Sequence, residues 1–195
     1  RLADRAHGMA ELQALVPDRV PEPRRELVAL ALVDGEEQQV EIALRAAIAY
    51  ELGAVDPFLH LDDSQLDRKK CGERRPRTAP ETELQKWKRS LERDVQDSKR
   101  EDFVIHFKEN YDGQMPIWVL TEAMKFGTLV RLLHLLKGAQ ANAVAGHFGI
   151  PSGSHLHSIS LGLNTLRNIA AHHNRLWNRS FGFQPLKVGT LPGVD

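Results

Sequence analysis

A single cysteine, Cys71, excludes an internal disulfide framework in this 195-residue chain and fits a reducing, cytoplasmic setting. Neither charge is in excess: 26 Lys and Arg stand against 26 Asp and Glu, for a formal net charge of zero. Bulk charge therefore announces no nucleic-acid partner, and any positive surface must be local. The N-terminus, Arg1-Leu2-Ala3-Asp4-Arg5, has no apolar core of the kind a secretory leader needs. It lacks a starting methionine, so the natural start is expected upstream. The most apolar run, Ile117 to Leu136, carries Glu122, Lys125, Arg131 and His134, which suits a buried helix and not a membrane span. No Cys pair, His-Glu-x-x-His or Asp-x-Asp cluster is present, and the close histidine pairs are His155 with His157 and His172 with His173. No metal is expected from that set, and no cofactor, since a Gly-rich phosphate loop is also missing. Strand-like alternation and internal repeats are absent too.

What is present is helical periodicity. Residues 1–35 read as an N-terminal helical segment interrupted by Pro17, Pro21 and Pro23. Val40, Ile42, Ala43, Leu44, Ala47, Ile48 and Leu52 form a wide apolar face, with Gly53 as a stop. Glu41 and Arg45 sit four apart on that helix, the spacing of an ordinary surface ion pair. Residues 56–80 read as a solvated basic loop around Arg68-Lys69-Lys70 and Arg74-Arg75-Pro76-Arg77, a stretch also able to touch RNA phosphates. One long helix is expected from Glu81 to about Asn110. A second should start at Pro116 and end at Gly138, and a shorter one should cover Ala139 to Phe148. The last helix starts near Ser152 or Ser154, and residues 181–195 read as an irregular tail. The class is all-α, a helical bundle. Trp87, Trp118 and Phe126 are expected in its core, and His155 and His157 at its surface or beside a cap. Cys71 has no His or Asn near it in sequence and is not expected to act as a nucleophile.

The last helix runs into the densest polar cluster of the chain: Leu166-Arg167-Asn168-Ile169-Ala170-Ala171-His172-His173-Asn174-Arg175-Leu176-Trp177-Asn178-Arg179. Arg offers a permanently charged fork that matches phosphate oxygens. His has the side-chain pKa closest to neutrality, and Asn can orient its neighbours. Asn168 and His172 are four apart and share a helix face. Arg167 and His172 are five apart, roughly 140° on an ideal helix. One straight helix does not aim both at one target. Either Arg167 wraps round, or the helix ends near His172, or a second copy of the site faces the first.

Arg167-Asn168-x-x-x-His172 near the end of the last helix resembles the HEPN superfamily of ribonucleases, and the whole string from Leu166 to Arg179 resembles its Abi-like (abortive infection) branch. Glu41-Ile42-Ala43-Leu44-Arg45 is similar to that family's early helix. Pro116, Trp118 and Phe126-Gly127-Thr128-Leu129 are similar to its middle, and His147-Phe148-Gly149 to the segment before the last helix. The resemblance spans about residues 36–180, and departs where Ile159 stands in place of an aromatic residue. It implies a HEPN-like bundle and a metal-independent endoribonuclease used in phage defence or as a toxin. It also implies an RNA substrate, a homodimer with a composite active site, and a regulatory antitoxin of protein or RNA. Arg167, Asn168 and His172 would be catalytic. His173, Asn174, Arg175, Trp177, Asn178 and Arg179 would contact RNA or support the site.

Three other readings stay open. Arg167, Asn168 and His172 also suit the tying-down of a helix C-terminus. A HEPN-like module without the activity, catalytically silent, could bind RNA or a partner. Ala143 to Pro151 followed by a helix from Ser154 has the outline of a helix-turn-helix, although its reading face carries no Lys or Arg before Arg167.

Overall fold

The computed structural model describes residues 37–171, and among them every regular element is helical. The helices are α1 (Glu37–Gly53), α2 (Arg68–Gly72), α3 (Glu83–Asp97), α4 (Asp102–Tyr111), α5 (Ile117–Ala123), α6 (Phe126–Leu135), α7 (Gly138–Gly146) and α8 (Gly153–Ala171). They form the expected all-α bundle. The segments 1–36 and 172–195 lie outside the described residues, and with them the expected N-terminal helices and irregular tail.

At the centre is α6. Phe126, Thr128, Leu129, Val130, Leu132, Leu133 and Leu135 are all buried, so it is apolar almost all round and must be enclosed by its neighbours. Its incompletely buried positions, Gly127, Arg131 and His134, fall at i, i+4 and i+7 and form one stripe. Around it α1 contributes Val40, Ala43, Leu44, Ala47, Ile48 and Leu52, whereas Ile42, expected in the same face, is 60% exposed, because it lies on the side of α1 turned away from these residues. α1 lies on α5, α6 and α7, α3 lies on α6, and α8 lies on both α6 and α7. Gly153 permits the last contact: a Cβ there would meet the Cβ of Ala141 at 2.4 Å.

The two long helices expected from sequence are each broken. Between α3 and α4 lies Ser98-Lys99-Arg100-Glu101, with no apolar group to bury and a turn closed by Glu101 N–H on the Ser98 carbonyl at 2.9 Å. The break between α5 and α6, at Met124-Lys125, is fixed by partners from elsewhere in the chain. The Arg45 guanidinium donates to the carbonyls of Thr121 and Met124 at the end of α5. The buried Asp94 carboxylate accepts from Lys125 N–H at 3.0 Å and from the Thr128 hydroxyl at 2.6 Å, at the start of α6. A cation meets a helix C-terminus and an anion a helix N-terminus, each satisfying backbone groups that the break leaves without helical partners.

The stretch 56–80 is more anchored than a solvated loop. Leu59, His60, Leu66 and Cys71 are buried, and Leu66 forms an isolated antiparallel bridge with Leu136. Asp67 caps α2 through its side chain, and the Lys70 ammonium donates to the Leu136 carbonyl at 2.9 Å. Apolar residues at irregular spacing carry this burial, which is why periodicity misses it. Desolvation pushes the Cys71 thiol up, in keeping with an unreactive role. Trp87 and Phe126 are core residues as expected, and Trp118 packs at the core's edge. Among the described residues no helix is long and apolar enough to cross a membrane.

Candidate functional site

The wet stripe of α6 forms the floor of a groove of about 750 Å³. One wall is α8, through His157, Leu161, Asn164, Arg167 and Asn168, all on one helical face. The other is α3, through Glu83, Lys86, Ser90, Arg93 and Asp94 at matching spacing. Glu41 of α1, Arg75 and Lys125 complete the rim. Six Lys or Arg residues line the groove against three Asp or Glu. The chain's zero net charge thus hides a local positive surface.

Arg167 and Asn168, two of the three residues expected to be catalytic, stand at one end of this groove with exposed side chains. Arg167 is held there by Glu41, whose Oε2 lies 2.5 Å from one guanidinium nitrogen. The other oxygen of Glu41 accepts from Arg45 at 2.9 Å. The expectation of an ordinary surface pair between Glu41 and Arg45 is therefore corrected. Their side chains are only 13% and 14% exposed, because α5 and the start of α6 cover them. Arg45 links Arg167, through Glu41, to the backbone break between α5 and α6. One carboxylate clamping two guanidiniums, each in charge-assisted hydrogen bonds, fixes where Arg167 starts and limits how far it can swing.

The third expected residue, His172, lies just beyond the described residues, as do His173, Asn174, Arg175, Trp177, Asn178 and Arg179. The 140° separation of Arg167 and His172 is thus untouched by the structure.

The far end of the groove was not expected. His134 and His157 stack with ring centroids 4.7 Å apart and planes tilted by 32°. His155, as expected, sits by the helix cap, with Nδ1 2.7 Å from the Ser152 hydroxyl. His157, expected at the surface or beside a cap, instead turns inward. Burial, then the neighbouring His134 and the nearby Arg75 and Lys70, lower the His157 pKa to about 4. Burial and Arg75 also lower that of His134, whose Nε2 lies 3.5 Å from Glu73. Both rings are neutral at pH 7. Beside them Glu83 accepts from Lys86 at 2.8 Å and stands 3.7 Å from Arg131, which also donates to the Ser90 hydroxyl at 3.1 Å. Sequence reasoning missed Arg131, Lys86 and this histidine pair. The available signal was Arg131 and His134, three apart on an otherwise largely apolar helix. Among the described residues, no group of three or more His, Cys, Asp or Glu is placed to hold a metal ion.

The sequence profile of the family described as Abi-like protein matches residues 29–178 of this chain, which take in all eight helices and the polar cluster up to Asn178. The chain belongs to the Abi-like family. Both groups of the groove's near end, Glu41 and Arg167, fall inside the matched span, and so do Arg131, His134 and His157 at its far end. Family membership associates the chain with abortive infection. Neither the curated proteins nor the solved structures contain a match to it.

Proposed function

We propose that this Abi-like chain is a metal-independent endoribonuclease of the HEPN type, acting in abortive infection or as a toxin in the cytoplasm. The observation that carries the reading is Arg167, exposed beside Asn168 at the end of a positively lined groove, with its guanidinium clamped by Glu41. A helix-capping role would bring Arg167 to backbone carbonyls. Its partner here is an acid on another helix, a placement suited to meeting an anion.

RNA carries its own nucleophile. The 2′-oxygen attacks the adjacent phosphorus, the bond to the 5′-oxygen breaks, and a 2′,3′-cyclic phosphate and a 5′-hydroxyl result. The 2′-hydroxyl gives up one proton and the leaving 5′-oxygen takes one. His172 serves as the base or acid in this exchange. Arg167 binds the scissile phosphate and stabilises the charge that builds on its oxygens. Asn168, on the same face as His172, orients it. His173, Asn174, Arg175, Trp177, Asn178 and Arg179 contact RNA or support these groups. A second copy of the chain facing the first supplies a second Arg167 and His172, which answers the separation of the two on one helix. An antitoxin, protein or RNA, restrains the activity.

A DNA-reading role for α7 and α8 has less support. The face of α8 bearing His157, Leu161 and Asn164 is turned toward α3 and α6, where it lines the groove. The test is chemical. Fragments from an RNA pool incubated with the protein in EDTA should end in 2′,3′-cyclic phosphate or 3′-phosphate. Fragments ending in 3′-hydroxyl would overturn the mechanism.

A further inference from the structure

The groove continues well past the residues that the proposed cleavage uses. His157 and Arg167 are ten positions apart on α8, a rise of about 15 Å. Along that length the lining changes character. Near Arg167 it is a clamped ion pair. Beyond it the lining offers Arg93 from α3 and then, toward the far end, Arg131 from α6, while Lys86 is already engaged by Glu83 and the Arg75 carbonyl. At the far end are two imidazoles, centroids 4.7 Å apart and inclined by 32°, with Arg75 beside them. Leucine at 131 and 134 would complete the apolar girth of α6. The helix instead keeps a cation and a half-buried ring there, and α8 places a second ring over the first. Cations spaced along a groove that ends in a planar surface match a strand offering phosphates in succession and an unstacked base at its end. A duplex, whose bases are stacked and paired, has no free base to place there.

We propose that this groove seats a single-stranded segment of RNA beside the cut, with Arg93 and Arg131 meeting backbone phosphates and the His134–His157 pair stacking one base. The imidazoles, uncharged at pH 7, work as a stacking and hydrogen-bonding surface and not as further phosphate ligands. The proposal rests on the nuclease reading for its substrate class, and it assigns a positioning and specificity role to residues that reading does not use.

The test uses fluorescein-labelled 2′-O-methyl oligouridine and oligoadenosine, which cannot be cut, and reads binding by fluorescence anisotropy over a salt series. The full chain is compared with an Arg93→Gln/Arg131→Gln double variant, His157→Ala and His157→Phe, each checked for helicity by circular dichroism. The double variant should bind at least tenfold more weakly, with its salt slope reduced by the equivalent of about two phosphates. His157→Ala should lose about tenfold, and His157→Phe, which keeps a flat ring, should recover most of it. Unchanged binding by a folded double variant overturns the proposal. So does failure of the wild-type chain to bind either oligomer. Cleavage of ordinary RNA, run in parallel, separates this from the nuclease reading. If Arg167→Ala and His172→Ala still cut while the groove variants lose binding, the catalytic assignment falls and the RNA track stands. If cutting depends on Arg167 while the groove variants bind normally, the reverse holds.

Discussion

Glu41 and Glu83, one at each end of the groove, hold cations in different ways. Glu41, 13% exposed, commits both carboxylate oxygens to arginines, at 2.9 Å to Arg45 and 2.5 Å to Arg167. Glu83, 10% exposed, holds Lys86 at 2.8 Å and leaves Arg131 3.7 Å away. The first clamps two arginines, whereas the second binds Lys86, which also donates to the Arg75 carbonyl at 2.8 Å, and leaves Arg131 on a loose tether. A clamp suits a group that must already be in place when charge develops, since preorganised dipoles and charges do most in catalysis. A tether suits side chains that follow the backbone of a bound strand. The surroundings differ in the same sense. Arg45 also holds the end of α5, so the clamp is part of the fold, whereas at the far end two imidazoles stand beside the Glu83–Lys86 pair.

The strongest way to break this contrast is to remove the arginine that ties the clamp to α5. Arg45→Ala leaves the Glu41 carboxylate short of a partner and the last carbonyls of α5 without a donor. Urea denaturation should show a loss of about 3–5 kcal/mol. A loss under 1 kcal/mol would mean that the clamp is not part of the fold.

The far end answers to pH. The folded pKa of His157 is about 4 against an ordinary 6.5, so the unfolded chain takes up its proton first. Stability from this group is complete above about pH 6.5 and is lost as the pH falls toward 4. With part of the ring still reached by water, the loss should be about 2 kcal/mol at pH 4. His60, buried elsewhere with its pKa also lowered to about 4 by burial, adds a parallel loss. Thermal melts of His157→Phe across this range should have a shallower acid slope than wild type. Identical slopes would show that burial of His157 is not what the acid disrupts.

Glu41→Gln sharpens the comparison, because it keeps the shape of the clamp and removes its charge. A stability loss of about 1–2 kcal/mol is expected, with at least a tenfold fall in RNA cleavage by folded protein. A change in melting temperature with full cleavage would leave Glu41 a purely structural role. At the small end of the scale is the exposed ion pair of Lys125 with Asp97, at the groove's rim. Asp97→Ala should shift stability by less than about 0.5 kcal/mol in low salt, as exposed pairs usually do.

The parts of this molecule legible in its sequence are those set by local pattern. The apolar face of α1, the capping of α8 at Ser152 and the placing of Arg167 on the last helix followed from residue types at helical spacing. The parts hidden were made by residues far apart in the chain. Nothing near Met124 marks a helix break, because Arg45 and Asp94, which fix it, lie 79 and 31 residues away. The Glu41–Arg45 pair reads as a surface pair until α5 is laid across it. Arg167 and Glu41, separated by 126 positions, meet only in the fold. The His134–His157 stack needed α6 and α8 side by side, whereas sequence spacing pairs His157 with His155.

The measurement that bears most directly on the central claim is cleavage of a mixed RNA pool in EDTA by the wild-type chain beside Arg167→Ala and His172→Ala, each confirmed to be folded. The account predicts cutting by wild type alone. Cutting by either variant at the wild-type rate would contradict it.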